Sequence, residues 1–349
     1  MPLRGIFGHR RTLGLLSRAI AQHTLPPSLL FTGPEGIGKL ETAFAVAQIL
    51  NCLSVVRATT TGPDSAGTVA GLPVDACGEC VACRRIARRI HPDIHLIAPI
   101  ERVSISIEQI RELNEQVAYR PFEARRRVVI INNAGELLGP AAQNGLLKTL
   151  EEPPSATVFI LVTAKPEGLL ETVRSRCSTV RFAPLAAGDV GACLETVHGL
   201  EASDARARAA IADGSVGIAL ASGELAQARA GAHRVLEHVA RVRDPRSRLD
   251  ATKELIGKAA KGSGLGERDS LAVYLRLLQG LLRDVGLLST SADARALAHA
   301  DLEPALQRLV PAFDRARLLG AFTAVDRALG ALQGNASPKI VADWLVLQL

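Results

Sequence analysis

The sequence predicts an α/β domain built on a parallel, doubly wound sheet, followed by an all-α region that runs to the end of the chain. Short apolar strands alternate with helical patterns up to residue 185, as expected when crossover helices join parallel strands. A glycine-rich turn separates the first strand, 28–32, from an alanine-rich helix, which is the order found in phosphate-binding α/β domains. After Pro184 no further strand pattern occurs, and Ala, Leu and Arg repeat at helical spacing.

Three more strands and the helices between them follow the first strand. In chain order they are strand 93–98, helix 107–119, strand 128–131, helix 140–152 and strand 158–163. The second and third of these strands are apolar, so we expect them to be buried on both faces of the sheet. The segment 54–76 is rich in Thr, Gly, Ala and Ser, and we expect a flexible insertion there.

Changes in composition divide the chain into three predicted domains. The α/β domain covers residues 1–185, a small helical domain covers 186–228 and a larger helical domain covers 229–349. The last helix is expected to begin at Pro338, with Ser337 as its N-cap. Helical spacing predicts that this helix buries Ile340, Val341, Trp344 and Leu345.

Composition and charge narrow the class of protein. Hydrophobic residues make up 48% of the 349 residues and aromatic residues only 3%, so the cores must consist mainly of aliphatic side chains. The net charge of +6 permits contact with nucleic acid without requiring it. The N-terminal segment lacks the apolar stretch of a secretory signal, and no stretch is suited to cross a bilayer, so we expect a cytoplasmic protein without membrane contact. In that compartment cysteines are free, metal-bound or redox-active rather than disulfide-paired.

The turn after the first strand matches the phosphate-loop pattern Gly-x-x-x-x-Gly-Lys. Its glycines are Gly33, Gly36 and Gly38, and its lysine is Lys39. Glycines let backbone N–H groups turn toward a phosphate, the lysine reaches the outer phosphates, and the helix N-terminus adds its dipole. The pattern therefore predicts a loop with the fold of a phosphate-binding site.

The residues that should hold magnesium are missing from this loop and from the strand that accompanies it. The position after the lysine needs a hydroxyl, and here it is Leu40. The strand 128–131 should be followed by an aspartate, and here it is followed by Asn132 and Asn133, which are neutral and cannot act as general bases. Efficient hydrolysis by this site is therefore not expected, while weak binding of nucleotide or phosphate at Lys39 stays open.

A cluster of cysteines indicates a metal site. Cys77, Cys80 and Cys83 form Cys-x-x-Cys-x-x-Cys, and Cys52 lies upstream across the insertion. Four thiolates suffice for tetrahedral Zn²⁺, although compact cysteine runs also bind iron–sulfur clusters. A site closed by four thiolates has no open position, so we assign it no catalysis. The remaining Cys177 and Cys193 are expected to be small buried side chains.

Several motifs resemble the bacterial AAA+ clamp-loader family over essentially the whole chain, most weakly in the last hundred residues. They are the amphipathic helix and its end at 142–154 (AQNGLLKTLEEPP), His91-Pro92-Asp93, Ser175-Arg176-Cys177 and the start of the final helix at 335–339. The resemblance implies that residues 1–185 form an AAA+ RecA-like domain with a zinc module at 52–83. It also implies that 186–228 form a helical lid and 229–349 a collar for oligomerisation. It favours zinc over iron–sulfur at Cys52, Cys77, Cys80 and Cys83.

The same resemblance implies a subunit that does not hydrolyse ATP itself. The family has an ATPase subunit type and a related type with a degraded site, and the losses at Leu40, Asn132 and Asn133 point to the second. The lid motif Gly214-Ser215-Val216-Gly217 has glycine where the family supplies an arginine to the phosphates. Thr163 stands at the family's sensor position, where we expect only a structural role.

The resemblance assigns to Arg176 the role of an arginine finger that enters a neighbour's ATP site. A guanidinium donated in trans stabilises the charge on the γ-phosphoryl oxygens during transfer. From the residues alone, Arg176 could equally be solvated or salt-bridged. The implied partners are tau/gamma-like ATPase subunits and a clamp-opening delta-like subunit of the DNA polymerase III holoenzyme. Contact with the sliding clamp would be indirect, and contact with primer–template DNA weak and through phosphates.

Two other functions remain compatible with the sequence. One is an active AAA+ ATPase with atypical magnesium ligands, which predicts robust ATP turnover by the isolated chain. The other is a zinc-dependent nucleic-acid-binding protein that uses the basic helix with Arg84, Arg85, Arg88 and Arg89, which predicts tight, salt-sensitive DNA binding by the chain alone. From the isolated chain we expect little ATP turnover and little DNA binding.

Overall fold

The structure is a computed structural model, and it describes residues 1–57, 71–98, 104–212, 214–221, 225–242, 244–252, 255, 267–290, 297, 299, 302–333 and 336–349. The chain divides into two compact units. The first comprises Met1–Leu200 with Asp213–Ile218, and the second comprises Glu201–Ala212 with Ala219–Leu349. The division into three domains predicted from composition stays a prediction.

The first unit is built around a five-stranded sheet in the order β4-β5-β6-β1-β7, with every adjacent pair parallel. Its strands are β1 (Ser28–Thr32), β4 (Ile94–Ile97), β5 (Arg127–Ile131), β6 (Thr157–Thr163) and β7 (Ser178–Arg181). A separate antiparallel pair consists of β2 (Val56–Arg57) and β3 (Val74–Asp75). The first four strands of the main sheet match the predicted ones to within a residue or two at each end.

Helices cover both faces of this sheet, so the sequence prediction of a doubly wound α/β domain is confirmed. They are α1 (Arg10–Ala21), α2 (Lys39–Asn51), α3 (Val81–Ala87), α4 (Ile107–Ala118), α5 (Ala134–Leu137), α6 (Pro140–Glu151), α7 (Glu171–Arg174) and α8 (Ala187–Thr196). Along β5, Val128 and Ile130 face the core under α1 and α2, while Val129 and Ile131 face the core under α4 and α6. This period of two explains why the strand is apolar at every position.

The ends of the segment 54–76 are ordered, in contrast to the flexible insertion predicted there. β2 and β3 pair at these ends, and the Val74 side chain is buried. Ser17 of α1 fixes β3, because its hydroxyl donates to the Val74 carbonyl at 2.6 Å and accepts from the Val74 N–H at 2.9 Å. Residues 58–70 lie outside the described part of the chain.

The second unit is helical in its described residues. Its helices are α9 (Ala202–Ile211), α11 (Leu225–Arg241), α12 (Pro245–Arg248), α13 (Glu267–Ser289), α14 (Glu303–Gln307), α15 (Arg315–Gln333) and α16 (Pro338–Gln348), and α10 (Val216–Ala221) joins the two units. The long helices α11, α13, α15 and α16 share one aliphatic core. No helix among the described residues has the length and apolar character needed to span a membrane.

The last helix begins where the sequence predicts, at Pro338 after Ser337, but two details differ. The Ser337 side chain makes no capping hydrogen bond. Ile340 is 68% exposed, so the prediction that it is buried was wrong, whereas Val341 and Leu345 are buried and Trp344 is half-buried. The next two residues, Val341 and Ala342, are buried, so Ile340 lies on the side of the helix that faces away from the core.

Candidate phosphate loop, metal centre and interface arginine

The predicted phosphate loop lies between the carboxyl end of β1 and the start of α2. Gly36 and Gly38 adopt positive φ angles of 68° and 97°, a backbone region that favours glycine. Gly38 is the N-cap of α2, and Lys39 is its first residue. The loop therefore has the local form predicted for a phosphate site. It lies at the carboxyl ends of the parallel strands, where ligands usually bind.

Lys39 is satisfied within the loop itself. Its ammonium group donates to the carbonyl oxygens of Gly33 at 2.6 Å and Pro34 at 2.5 Å. Burial lowers the pKa of Lys39, while the nearby carboxylates of Glu136 and Glu35 act in the opposite direction. The charge that would bind an outer phosphate is thus bound to backbone oxygens in this structure.

The lid motif 214–217 packs directly on the phosphate loop. The Ser215 hydroxyl donates to the Glu35 carbonyl at 2.8 Å, and the Gly217 N–H donates to the Gly36 carbonyl at 2.9 Å. A Cβ atom on Gly217 would lie 2.7 Å from the Cα of Gly36, closer than real Cβ contacts. Glycine at 217 is therefore required by this contact, and no arginine side chain can start from that position without moving the loop.

The three positions at which the sequence lacks a magnesium ligand or a general base lie at the start of α2 and directly after β5. Leu40 is half-buried and packs against the aliphatic core under α2. Asn132 is half-buried immediately after β5. Asn133 is exposed and has a φ of 51°, a left-handed conformation that asparagine tolerates better than most residues. Asn133 therefore has a backbone role, as the N-cap of α5, that the sequence did not reveal.

Glu136 of α5 is a carboxylate near Lys39 that the sequence analysis missed. The Thr163 hydroxyl donates to its Oε2 at 2.8 Å, and the N–H groups of Ala164 and Lys165 donate to its Oε1 at 2.9 and 3.0 Å. These three donors tie α5 to the end of β6. Thr163, at the predicted sensor position, is thus engaged in a contact that holds two elements together.

The predicted metal ligands converge. The thiol sulfurs of Cys52, Cys77, Cys80 and Cys83 all lie within 4.8 Å of one another. The Sγ atoms of Cys77 and Cys83 are 3.9 Å apart. Zn–S bonds of about 2.3 Å in a tetrahedron place sulfurs about 3.8 Å apart, so the four thiols could hold a metal ion of that kind.

Backbone N–H groups point at these sulfurs, as expected for a loop that wraps around a metal. Cys77 N–H donates to Cys52 Sγ at 3.3 Å, and Cys80 N–H donates to Cys77 Sγ at 3.3 Å. For Cys80, burial opposes ionisation, but N–H donors from Cys83 and Leu53 outweigh it and bring the pKa of its thiol to about 6. Burial raises the pKa of Cys83. Of the thiols in the cluster, that of Cys80 is thus the one whose ionisation the surrounding N–H donors favour.

The N-terminal segment supports the cysteine cluster, which the sequence analysis did not foresee. The Asp75 carboxylate accepts from the Leu3 N–H at 2.9 Å and the Arg4 N–H at 3.0 Å. The Arg4 guanidinium also donates to the carbonyls of Ala76 at 2.7 Å and Cys77 at 2.9 Å. The other two cysteines, Cys177 and Cys193, are buried as predicted.

Arg176 lies on the surface between α7 and β7. Its Nε and Nη2 atoms donate to Oε2 of Glu151 at 3.3 and 3.1 Å, and its Nη1 donates to the Thr172 carbonyl at 3.1 Å. Its side chain is 32% exposed and that of Glu151 is 59% exposed. An ion pair this open to water contributes little to stability, so the guanidinium can leave it at low cost.

A parallel sheet with a glycine-rich loop between its first strand, β1, and the helix α2 is the arrangement of an α/β protein of the P-loop class. Within that class the match is to one family. A sequence model of the family described as DNA polymerase III, delta subunit, matches residues 8–186, and the chain belongs to this family.

Curated relatives agree with the family. The chain is 35% identical over 175 residues to DNA polymerase III subunit delta' of Bacillus subtilis, which covers 50% of this chain and 47% of that protein. It is 42% identical over 101 residues to subunit delta' of Haemophilus influenzae, covering 29% of this chain and 31% of that protein. It is 33% identical over 172 residues to subunit tau/gamma of Haemophilus influenzae, covering 49% of this chain and 22% of that protein. The chain thus spans less than half the length of these relatives.

A solved structure also aligns with the chain along its length. A DNA polymerase III gamma subunit-related protein from Thermotoga maritima covers 96% of this chain and 97% of that chain, with 15% sequence identity and a TM-score of 0.39. A TM-score this low does not establish a shared fold or function.

Proposed function

We propose that this chain is a delta'-like clamp-loader subunit that does not hydrolyse ATP and that donates Arg176 to the ATP site of a neighbouring subunit. One observation carries the proposal. The groups that would act on a nucleotide in this chain, Lys39 and Glu136, are bound within the chain, while Arg176 lies at the surface.

The closed phosphate loop supports the absence of hydrolysis. A nucleotide phosphate would have to displace the carbonyls that Lys39 binds and would find no hydroxyl at Leu40. Glu136 already accepts three hydrogen bonds, so it is not available as a magnesium ligand or general base in place of Asn132. Phosphoryl transfer depends on placed charges and a metal ion, but here the charge of Lys39 is bound to carbonyls and the metal has no hydroxyl ligand at position 40.

The surroundings of Arg176 support a role in trans. The planar guanidinium suits the equatorial oxygens of a γ-phosphoryl group. Its position after the short helix α7 holds the backbone in place, while its side-chain partner Glu151 is exposed and easily exchanged for a phosphate. The partner would be a tau/gamma-like ATPase subunit, in a ring that also contains a delta-like clamp-opening subunit.

Zinc is the metal that we propose for the four thiols, in a structural role. When bound, zinc would link Cys52 at the end of α2 to Cys77, Cys80 and Cys83 at the start of α3. The thiol-only donor set and the sulfur spacing fit this ion, and a closed set of four leaves no position for substrate. The ion would therefore stabilise this corner of the first unit.

The test of Arg176 is reconstitution with tau/gamma-like and delta-like subunits of the same organism. Arg176→Ala is compared with Arg174→Ala, which removes an exposed arginine two residues away on α7. We expect both variants to assemble as the wild type does in size-exclusion chromatography. An arginine finger accelerates its site about a thousandfold or more, so Arg176→Ala should remove that site's share of the DNA- and clamp-stimulated ATPase rate.

Two outcomes would contradict the assignment. Full ATPase stimulation by a fully assembled Arg176→Ala complex would remove the finger role. Equal losses for Arg174→Ala and Arg176→Ala would indicate a general effect of surface charge rather than a placed guanidinium. A third variant, Arg176→Lys, keeps the charge without the planar fork, and we expect it to behave like the alanine variant.

A further inference from the structure

A surface on the first unit combines exposed aromatic rings with arginines. We name it the arginine–aromatic surface. It consists of Arg84, Arg85 and Arg88 on or just after α3 and of Tyr119, Arg120, Phe122 and Arg125 in the segment before β5. Tyr119 is 77% exposed and Phe122 is 84% exposed, in a chain whose aromatic content is only 3%. Two exposed rings three residues apart offer flat apolar faces to a binding partner.

The loop that carries the two rings is held rigidly from below. The Asp93 carboxylate, which is buried, accepts from the N–H groups of Phe122 at 2.7 Å and of Glu123 and Ala124 at 2.9 Å each. Three N–H donors on one carboxylate fix the backbone of residues 122–124. The Phe122 side chain therefore points into solvent from a fixed backbone rather than from a loose loop.

A buried arginine holds the other half of the same loop. The Arg127 guanidinium donates to the carbonyls of Tyr119 at 2.8 Å and Arg120 at 3.1 Å, and it lies 3.5 Å from Asp93. Arg127 is 6% exposed and Asp93 is 1% exposed. The buried pair thus holds both ends of the 119–124 segment. The side chains of Tyr119 and Phe122 in that segment lie outside the core.

The basic helix α3 lies beside this loop. Arg85 donates to Glu123 Oε1 at 2.7 Å, which joins the end of α3 to the loop. His91 accepts the Asp93 N–H through Nδ1 at 3.2 Å, so its Nε2 carries the proton and faces Glu123 at 3.7 Å. Burial lowers the pKa of His91 and favours this neutral form. Glu123 is the one acid within 84–90 and 119–127, and Arg85 neutralises it.

The sequence alone led us to expect little DNA binding by the isolated chain, but the exposed rings beside the basic helix change that expectation. We propose that the arginine–aromatic surface binds single-stranded nucleic acid. Aromatic faces stack on unpaired bases, and arginines track the phosphates, which is the combination that single-strand-binding surfaces use. The excess positive charge selects a polyanion. Bases inside a duplex already stack on one another, so exposed rings on a rigid loop favour an unpaired strand. This proposal does not depend on the role of Arg176 or on the state of the phosphate loop.

The test uses the full zinc-loaded chain and a fluorescein-labelled twenty-nucleotide oligo(dT), with fluorescence anisotropy as the readout. A labelled duplex of about the same length is titrated in parallel. We expect the chain to bind the single strand more tightly than the duplex. Binding should weaken as salt rises, with a slope of log K against log salt of about −0.7 for each phosphate contacted.

Variants separate stacking from charge. We expect Phe122→Ala and Tyr119→Ala each to weaken oligo(dT) binding at least about fivefold with an unchanged salt slope. Arg84→Ala combined with Arg88→Ala should weaken binding and also reduce the slope. The matched controls are Phe322→Ala, which removes a partly exposed ring in the second unit, and Arg174→Ala. Thermal melts and zinc content verify that each variant is folded.

Several outcomes would overturn the proposal. Among them are equal affinity for duplex and single strand, and oligo(dT) binding that survives loss of both Tyr119 and Phe122. Displacement of oligo(dT) by polyglutamate at equal charge concentration would show a site for acidic peptides or any polyanion instead. The comparison of single strand with duplex uses only the wild-type chain, so it decides the matter even if a variant fails to fold.

Discussion

Asp93 shows how one buried carboxylate can determine the form of a surface. It lies just before β4, and its partners are the N–H groups of residues 122–124 and the Arg127 guanidinium. Burial alone would raise the pKa of Asp93, but these donors outweigh it and hold the pKa below its ordinary value. A carboxyl whose pKa is lower in the folded than in the unfolded chain stabilises the fold when ionised.

This gives a prediction for Asp93→Asn. The variant should lose about 3 kcal/mol of unfolding free energy at pH 7, because Arg127 keeps a buried charge without its partner. The stabilisation is present above the unfolded pKa of about 3.9 and is lost as pH falls through the lower folded pKa. The difference between wild type and variant should therefore shrink as the pH falls below about 4, as measured by urea unfolding at a series of pH values.

Two features isolate the effect of Asp93 in that experiment. Acid also protonates thiolates and releases any bound metal, but it does so in wild type and variant alike, so the difference between them cancels this contribution. Glu112→Gln changes an exposed carboxylate of α4 and should leave stability nearly unchanged at every pH. A constant difference between wild type and Asp93→Asn from pH 7 to pH 3 would show that ionisation of Asp93 contributes nothing.

The role of Asp93 could not be predicted from the sequence, although the motif His91-Pro92-Asp93 was identified. Its partners lie 29 to 34 residues further along the chain, and local patterns contain no information about such contacts. Glu136 was missed for the same reason, since its partners are 27 to 29 residues away. The four cysteines were predicted together because thiols at this spacing have few other uses, so residue type alone sufficed.

At the scale of elements, burial decided which strands the sequence could predict. β5 and β6 are buried at every position, and their apolar runs identified them. β7, with the sequence Ser178–Arg181, was not predicted, because it is an edge strand of four residues with three exposed. An exposed edge strand needs no apolar pattern, and its place was set by pairing with β1 in the folded sheet.

The cysteine cluster lies where α2, the segment after β3 and α3 meet, and Gln48 of α2 also donates to the Cys83 carbonyl there at 2.8 Å. Cys52 ends α2, Cys77 follows β3, and Cys80 is the N-cap of α3. We predict that the purified chain contains one zinc ion and that Cys80→Ser loses most of it, because serine does not supply a thiolate. The variant should melt at a lower temperature than wild type, and chelation of wild type should reproduce the shift.

The control for this prediction is Cys177→Ser, which alters a buried thiol outside the cluster. Burial raises the pKa of Cys177 to about 11, and this thiol is not one of the four that converge. We expect Cys177→Ser to keep its zinc whatever it does to stability. Zinc content is measured by metal analysis and by a colorimetric release assay. Iron with acid-labile sulfide in the wild-type chain would instead identify an iron–sulfur cluster.

At the scale of the whole molecule, two positive charges are treated differently: the lysine of the phosphate loop is bound inside the chain, whereas Arg176 is open to solvent. The phosphate loop keeps its glycines and its lysine, but the chain's own carbonyls and the lid motif occupy them. The surface keeps Arg176 in an exposed ion pair. Under the proposed function, such a subunit would act on a neighbour's nucleotide and therefore within an assembly rather than as a single chain.

The last prediction concerns restoration of the lost site in the single chain. The variant Leu40→Thr, Asn132→Asp and Asn133→Glu replaces the missing magnesium groups. We expect neither wild type nor this variant to hydrolyse ATP above background in a phosphate-release assay, with a tau/gamma-like subunit as positive control. The replacement of Asn133 places glutamate in a left-handed conformation that costs about 1 kcal/mol. Above all, Gly217 still has no room for the lid arginine.

Nucleotide binding distinguishes the reasons for that failure. If the lost oxygens alone disabled the loop, the triple variant should bind a fluorescent ATP analogue in the presence of Mg²⁺, with Lys39→Ala abolishing the signal. If the closed loop dominates, as the Lys39 and Gly217 contacts indicate, binding stays undetectable until the 214–217 turn is also loosened, for example by Ser215→Ala, which removes its hydrogen bond to Glu35. Rapid ATP turnover by the wild-type chain alone would contradict both explanations, because it would require an open loop and a metal ligand where the structure has Leu40 and Asn132.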